Sequence, residues 1–566
     1  MSFRSTVLRL WPWLAAICTG LLCTGCFAPF NLWWLCWFAL TPLLAAVWFS
    51  ENNWKRRGLR DLLLGYVAGL AFFWTVFFWL TTVTVFGWFL LAFYMAIYFA
   101  LWGWLAGALR PREVNTVAAG SPLRHEHGAV GEPSLPKKPW DLTREESPLA
   151  KSPWLKSGTN LRLAFLLATA WVAQEWLRSI VFSGWGWNTL GSALHAQWTL
   201  IQICEFTGVA GLSFVTAFAN VIGLASIRRF ILEAQVHRTR PHFDLTLTMT
   251  GIVSLLAFGL HAAQVQRVTK PVRVALVQAN VAREEKFDVA LTERIFDRLR
   301  SLSTPAAAAS VRPDLMIWPE SSTPLPVLQD QRTYDFVTQF AASARSDLLL
   351  GTIDFEGQSA YNAALLVTQG GTRTQLYRKV HLVPFGEYLP GRHLVPFLAQ
   401  IVDQVPEDFA AGAEHTVFRL TSGIQVAPLI CFEDTIGELT RHFVLGGAAV
   451  LTNVTNDGWF KESAGSQQHL ANAVFRCVET RRPLVRSANT GVTCVVDEVG
   501  RITHMLTDEN GSQFTQGVLT SEVAVPTTGE LTFYVGHGEL FAECCAGIAA
   551  LALIYIGVFA RRRRRV

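Results

Sequence analysis

Three short stretches of this 566-residue chain each end a hydrophobic run on a side chain able to do chemistry. They are Glu320 in "IWPESSTP", Lys379 in "YRKVHLVPFGEYLP" and Cys431 in "PLICFED". Each run reads as a strand, and α/β folds place reacting groups where strands give way to loops. A lone glutamate, lysine or cysteine would pass as surface charge or core filler. Three together, each following an apolar strand, mark a candidate site. The cysteine poses a difficulty, because Glu433 and Asp434 follow it closely. Nearby negative charge disfavours the thiolate, the reactive form of the thiol.

The segment that must position these residues runs from 271 to 537 and alternates between strand and helix patterns. "VRVALVQANV", "PDLMIWPE", "DLLLGTIDF", "IQVAPLICFED" and "AAVLTNVTND" read as strands, and "SAYNAALLVTQGGTRTQLYR" as a hairpin turning at Gly370-Gly371. "LTERIFDRLRSL", "TYDFVTQFAASA" and "SQQHLANAVFRCVET" have helical periodicity. Strands and helices mixed over this length suggest a layered α/β sandwich.

The rest of the chain is a different material. Overall 51% of residues are hydrophobic and 16% charged, with 21 Trp and 38 Phe; soluble domains average about 25% charged. Apolar runs long enough to span a bilayer are expected at Leu10–Phe27, Leu32–Phe49, Leu62–Val83, Phe86–Leu109, Leu163–Phe182, Leu200–Ile227, Leu245–Ala263 and Leu540–Ala560. The first two are separated only by "APFN" and would form a hairpin. Loops rich in Arg and Lys (Lys55–Arg60, Arg110 and Arg112, Arg228–Arg240, Arg561–Arg565) alternate with loops that carry none, as the positive-inside rule requires. Both termini are therefore expected in the cytoplasm and the 271–537 segment outside. The opening residues through Cys26 also resemble a lipoprotein signal, but the spans that follow favour a retained helix. The domain reading is a bundle over 1–264, the α/β unit over 271–537, a final helix over 538–560 and a basic tail over 561–566.

Residues 112–160, rich in Pro, Ser, Lys and Glu, read as a disordered cytoplasmic insert. Glu175 and Arg178 share a helix face inside the fifth run and are expected to pair, with a lipid head-group contact as the alternative. Seven of the ten cysteines lie in apolar runs; Cys431, Cys477 and Cys494 do not. The one C-x-x-C, Cys23 to Cys26, lies inside an apolar run and there is no His-rich cluster, so neither a metal nor a cofactor is expected. The net charge of +5 is small for this length and no basic-aromatic motif occurs, so nucleic acid is not an expected partner.

The Glu–Lys–Cys order resembles the triad of the nitrilase superfamily. With "WPES", "HLVPFGE", "ICFED", "NDGWF", "RSANTGVT" and the flanking spans, the chain is identified as a member of its membrane-bound branch, the apolipoprotein N-acyltransferases of bacterial inner membranes. The resemblance implies a multi-pass α-helical membrane bundle plus a nitrilase-like four-layer αββα sandwich. It implies Glu320 as general base, Lys379 as electrostatic stabiliser, Cys431 as nucleophile, and Glu387 and Glu433 as supporting acids. Phe287, Asn362, Phe432, Asn456, Trp459 and Phe460 are candidate substrate contacts. The family generally has Tyr where Phe432 stands and Trp where Phe287 stands. Gln468, His469 and His381 read as structural hydrogen-bonders.

A free thiol titrates near pH 8.5 and a free Glu near 4.3, a mismatch of about 4 units or roughly 6 kcal/mol against proton transfer. Burial would raise Glu320, and the Lys379 ammonium would lower Cys431. Glu387 and Glu433 would serve the lysine rather than the thiol. The implied reaction moves a fatty acyl chain from a phospholipid, through a cysteine thioester, to the α-amino group of a diacylglyceryl-apolipoprotein. The enzyme is expected to act as a monomer. The segment Glu387–Phe409 reads as a membrane-facing lid or as a core or dimer segment. Two other readings compete, and only the first uses the same triad. One is a membrane-tethered nitrilase-type amidase; the other is a transporter, which would need ionisable groups at mid-bilayer depth in several spans.

Overall fold

The computed structural model describes residues 3–51, 54–111, 148–389, 392 and 408–563. Its first half is a helical bundle built from α1 (Phe3–Gly25), α2 (Thr41–Phe49), α3 (Arg57–Val76), α4 (Val85–Ala108), α5 (Ser157–Ile180), α6 (Val209–Val236) and α7 (Phe243–Ala262). The C-terminal helix, Leu540–Arg563, returns to pack against α5 through Val172, Ala542 and Cys545. Five helices (α3, α4, α6, α7 and the C-terminal one) are long and apolar enough to cross a membrane by length and composition. Helices α1 and α5, of 23 and 24 residues, have the length. The close α3–α4 contact rests on small residues: a Cβ on Gly69 would come within 2.8 Å of the Ala96 backbone, and one on Gly103 within 2.9 Å of the Asp61 carbonyl.

Leu32–Phe49 differs from the expected second span. It is a 3₁₀ turn (Trp33–Trp37) followed by the nine-residue α2, which starts afresh with Pro42 in its first turn. Nine residues rise about 14 Å, roughly half a bilayer core. The break is tolerated because Asn220 of α6 satisfies it, accepting from Leu40 N–H at 2.8 Å and donating to the Cys36 carbonyl at 2.8 Å. The expected insert lies outside the described residues from 112 to 147, and its last part belongs to the fold. Trp154 is buried against Trp48 and Phe49, with ring centroids 5.2 and 5.5 Å away. Glu175 and Arg178 attract each other as expected, but without a direct ion-pair contact among the described residues. Glu175 Oε1 accepts from the Trp171 indole at 2.8 Å and from Leu190 N–H at 2.7 Å, while the Arg178 guanidinium lies over the Phe73 ring.

The α/β unit contains two six-stranded sheets. The first is assembled from β1 (Thr269–Gln278), β2 (Leu315–Trp318), β3 (Asp347–Glu356), β4 (Ser359–Val367), β5 (Thr374–Arg378) and β12 (Gly517–Pro526), in the order β12-β1-β2-β3-β4-β5. The second runs β11 (Ile502–Met505), β10 (Cys494–Val496), β9 (Leu484–Ala488), β8 (Val450–Thr455), β7 (Gln425–Ile430), β6 (Phe418–Arg419). In each, three central strands are parallel: β1-β2-β3 and β7-β8-β9.

Alternation along the strands builds the layers. Val274, Leu276, Leu315, Ile317 and Leu349 point into the core between the sheets. Their neighbours Ala275, Val277, Met316, Trp318, Leu348 and Leu350 point the other way, into a second core under α8 (Thr292–Ala307) and α9 (Gln331–Ala344). Helices α10 (Gly437–Leu445) and α11 (Gly465–Thr480) belong to the second sheet's half. The result is the expected αββα sandwich.

The sandwich and the bundle dock through Gln468 of α11, which is buried at their junction. Its Oε1 accepts from the Trp79 indole and from Asn188, both at 3.0 Å, and its Nε2 donates to the carbonyls of Ala28 at 2.8 Å and Val76 at 3.1 Å. Replacing it with an apolar residue strands buried donors and acceptors on the bundle side. Gln468→Leu is expected to cost about 2–4 kcal/mol, read as a lower Tm of the detergent-solubilised protein. An unchanged Tm would show that Gln468 does not hold the junction.

Candidate active site

Glu320, Lys379 and Cys431 each stand just past a strand end, and all three line one cavity. Glu320 follows β2 after Pro319, in a loop pressed against Gly351 of β3. A Cβ on Gly351 would lie 2.5 Å from the Glu320 Cα, so only glycine lets the strand pass. Lys379 follows β5, and its N–H donates to the Asn362 carbonyl of β4 at 2.8 Å. Cys431 follows β7 with φ +52°, a left-handed conformation unusual for a residue with a side chain. A 3₁₀ turn, Cys431–Thr435, begins there, and Asn453 of β8 donates to the Cys431 carbonyl at 2.9 Å. Such strain persists only where surrounding structure holds it, and it clusters at functional sites.

Two carboxylates and one amide frame the lysine. Lys379 Nζ is 2.7 Å from Glu387 Oε2, with the lysine fully buried. Asn362 Nδ2 donates to Glu320 Oε1 at 2.8 Å and to Glu387 Oε1 at 2.7 Å. Val383 N–H donates to Glu387 Oε2 at 2.8 Å. Asn362, expected as a substrate contact, therefore spends both its N–H bonds on carboxylates. Among the described residues Glu320 Oε2 has no hydrogen-bond partner, so one oxygen stays available in the buried site.

The charge of Glu433 helps to hold the Lys379 ammonium, but its hydrogen bonds go elsewhere. Its Oε1 accepts from the Tyr377 hydroxyl at 2.8 Å, Val380 N–H at 2.9 Å and His381 N–H at 3.1 Å; its Oε2 accepts from Ile430 N–H at 2.9 Å. It thus pins the backbone after Lys379 to the strand before Cys431. Asp434 turns the opposite way, 2.9 Å from His469 Nε2, and His469 Nδ1 lies 3.1 Å from Asp457. Arg486 reaches both acids, at 3.1 Å to Asp457 and 3.4 Å to Asp434. This buried cluster gives His469 a structural setting. Phe432 stacks on Trp187 at 5.7 Å and 12°, and on His381 at 5.9 Å, so its ring ties the turn to the bundle.

The electrostatics decide the resting protonation state. Burial pushes the Glu320 carboxyl above its usual range, more than Lys379 pulls it back. Burial also works against the Lys379 ammonium, but the charge of Glu387, and then those of Cys431 and Glu320, raise it above the usual lysine range. Cys431 keeps some surface toward the cavity, yet protein encloses it. Burial and the charge of Glu320 raise its thiol, outweighing Lys379. The expected lowering of Cys431 by Lys379 is therefore present but loses to desolvation. The resting site holds a thiol, a charged lysine and a carboxyl with a raised affinity for protons. Burial likewise pushes Glu433 up to about 7 against the pull of Lys379 and its backbone donors.

The cavity has a volume of about 480 Å³. One wall is the sandwich, with Phe287, Asn456, Trp459 and Phe460 beside Glu320, Lys379 and Cys431. The other is the bundle, contributed by the α3–α4 turn, the first turns of α4 and the segment after α5, including Trp79, Leu90, Phe182 and Trp185. Phe182 is 83% exposed and Phe287 50%, so the mouth is apolar and open. Of the expected lid, only Glu387–Leu389, Arg392, Asp408 and Phe409 are described; Phe409 lines the cavity and its N–H donates to the Glu387 carbonyl at 2.8 Å.

Comparison with known proteins matches both halves. Residues 273–533 fit the carbon-nitrogen hydrolase family, and residues 19–125 and 146–222 fit the apolipoprotein N-acyltransferase N-terminal domain. The apolipoprotein N-acyltransferase of Geobacter metallireducens is 31% identical over 558 residues, covering 96% of this chain and 95% of that one. The chain belongs to the apolipoprotein N-acyltransferase family. The Chlorobaculum tepidum apolipoprotein N-acyltransferase is 33% identical over 440 residues, 72% of this chain and 80% of that one. That of Nitrosomonas europaea is 32% identical over 410 residues, 70% and 77% of the two chains.

Within this family member the tertiary structure adds residues that strand-end reasoning passed over. Lys286, one residue before Phe287, is buried, and its ammonium donates to the Glu320 backbone carbonyl. Burial lowers it to about 8, against the pull of Glu320 and Cys431. Tyr377 and Arg486 open two of the quoted motifs, "YRKVHLVPFGEYLP" and "RSANTGVT", but nothing in those stretches says what the two side chains touch. Glu433→Gln would turn an amide N–H₂ toward backbone donors. It is expected to lower both the rate of Cys431 acylation and stability, by about 1–3 kcal/mol. Thermal unfolding and single-turnover acylation check this together, and a variant with unchanged rate would remove Glu433 from the machinery. Gly351→Ala should displace Glu320 and cut acylation at least tenfold, with Cys431 still titratable by a thiol reagent in the unfolded protein.

Proposed function

We propose that this acyltransferase moves a fatty acyl chain from a phospholipid to the α-amino group of an apolipoprotein's N-terminal diacylglyceryl-cysteine, with Cys431 carrying the chain between them. The observation that supports this most is the placement of the Glu320, Lys379 and Cys431 side chains on a cavity shared between sandwich and bundle, whose mouth is apolar. An acyl chain fits such a cavity; a small polar amide does not use it. The amidase reading is less supported, because the family match extends through the bundle.

In the first half-reaction Cys431 Sγ attacks the ester carbonyl carbon as its proton passes to Glu320. Because the resting thiol is protonated, transfer and attack are coupled. Lys379 meets the negative charge that develops on the carbonyl oxygen, helped by the backbone N–H after the cysteine. The C–O bond breaks, Glu320 returns the proton to the departing alkoxide, and lysophospholipid leaves behind a thioester. In the second half the amine attacks the thioester carbonyl, Glu320 takes a proton from the amine, and the C–S bond breaks. The sulfur regains its proton and the amide product leaves. Two half-reactions at one site give ping-pong kinetics. The dry apolar walls keep water from the thioester.

The alternation of basic and non-basic loops supports a multi-pass topology in the bacterial inner membrane, with both termini cytoplasmic and the sandwich periplasmic. The enzyme acts as a monomer in this reading, since the cavity is completed within one chain.

Mass spectrometry after exposure to phospholipid is expected to find a fatty acyl adduct on Cys431 that Cys431→Ala lacks; acylation persisting in Cys431→Ala would overturn the assignment. Because the base must be deprotonated, the single-turnover acylation rate should rise with pH through the raised Glu320 titration, above the ordinary carboxylate value of about 4.3. Glu320→Gln should abolish that rising limb and slow acylation by about 10³-fold or more. A wild-type rate independent of pH from 4 to 9 would count against the role of Glu320.

A further inference from the structure

The cavity wall carries a second cation whose charge is not met as that of Lys379 is. Arg283 lies in the loop after β1, and its guanidinium carbon is 3.6 Å from the centroid of the Trp459 ring. Among the described residues its guanidinium makes no ion pair with a carboxylate and no hydrogen bond; its sequence neighbour Glu284 acts on it only at longer range. Lys379, by contrast, is ion-paired with Glu387 at 2.7 Å. Trp459 is itself held from the bundle side, where the Thr82 hydroxyl donates to its carbonyl at 3.3 Å.

A guanidinium lying against an indole face has its face covered and its N–H edges free. Those edges form the fork that grips a phosphate through paired hydrogen bonds. Stacking fixes the plane in advance, so little side-chain freedom is left to lose on binding. The donor in the proposed reaction brings such an anion, because a glycerophospholipid whose ester reaches Cys431 carries its phosphodiester on the same glycerol. The acceptor, a diacylglyceryl thioether on a peptide, carries no phosphate. The two half-reactions therefore differ in whether this cation has a partner.

We propose that Arg283, held against Trp459 on the cavity wall, binds the phosphodiester of the acyl donor and sets the preference for phospholipid over phosphate-free acyl esters in the first half-reaction. The inference rests on the acyl-transfer reading of Cys431 given above.

The test uses the full-length protein in neutral detergent micelles and follows acyl-Cys431 formation by mass spectrometry. Donors are phosphatidylethanolamine, phosphatidylglycerol and the phosphate-free p-nitrophenyl palmitate, each with wild type, Arg283→Gln and Arg283→Lys. Arg283→Gln is expected to raise the half-saturating concentration of both phospholipids about tenfold or more, with a smaller change in the limiting rate. The loss with the p-nitrophenyl ester should be at least several-fold smaller, and Arg283→Lys should recover part of the phospholipid loss. Aminolysis of the preformed thioester by a diacylglyceryl peptide should slow less than phospholipid-driven acylation. Equal losses with phospholipid and p-nitrophenyl ester, or no loss with either, would overturn the inference. So would a loss confined to one headgroup, since both carry the phosphodiester. Absence of any adduct on wild-type Cys431 would overturn the acyl-transfer reading itself, and this inference with it.

Discussion

A buried ammonium is held charged most firmly by a carboxylate, and that pairing organises the site. Lys379 is buried with Glu387 at 2.7 Å. Burying the pair is costly unless the remaining lone pairs are satisfied, and here they are. Asn362 and Val383 N–H hold Glu387, and the same Asn362 holds Glu320. One cation therefore fixes groups from β4, the loop after β2 and the loop after β5. The low-dielectric surroundings that strengthen this pairing also raise Glu320 and keep Cys431 a thiol. In the proposed mechanism the site is quiescent until an acyl carbonyl supplies somewhere for the sulfur's electrons to go.

The turn that begins at Cys431 extends this order outward. Its side chains diverge: Phe432 to the bundle tryptophans, Glu433 to the lysine loop, Asp434 to His469 and Arg486. Five residues thereby connect both sheets and the bundle, and their combined grip supports the left-handed backbone at the cysteine. The acids beside the thiol are accounted for in this way. Neither is a proton acceptor for it; each is an anchor aimed away from it.

The bundle supplies half of the cavity wall as well as an anchor. Gln468 fixes how the two parts meet, and Trp79 both bonds to Gln468 and lines the cavity. A sandwich of this type alone would leave Cys431 facing water on that side. The broken Leu32–Phe49 stretch lies in the same region of the bundle, where Asn220 replaces the continuous helix that hydropathy suggested. Hydropathy counts apolar residues; it does not see a polar side chain on a distant helix that makes an interrupted backbone affordable in lipid.

The amino-acid sequence by itself determined the class of fold, the two kinds of material in the chain, and the three groups able to do chemistry. These are local properties: period-two alternation, apolar runs of bilayer length, and reactive side chains just past strand ends. It did not determine what each supporting residue touches. Asn362 as a clamp on two carboxylates, Glu433 as a backbone anchor, Lys286 beneath Glu320 and Arg283 against Trp459 follow only from which strands and loops become neighbours. The balance that leaves Cys431 protonated was likewise out of reach. Desolvation depends on how much protein surrounds a group, and that is set by the packing of two sheets and a bundle rather than by any stretch of chain.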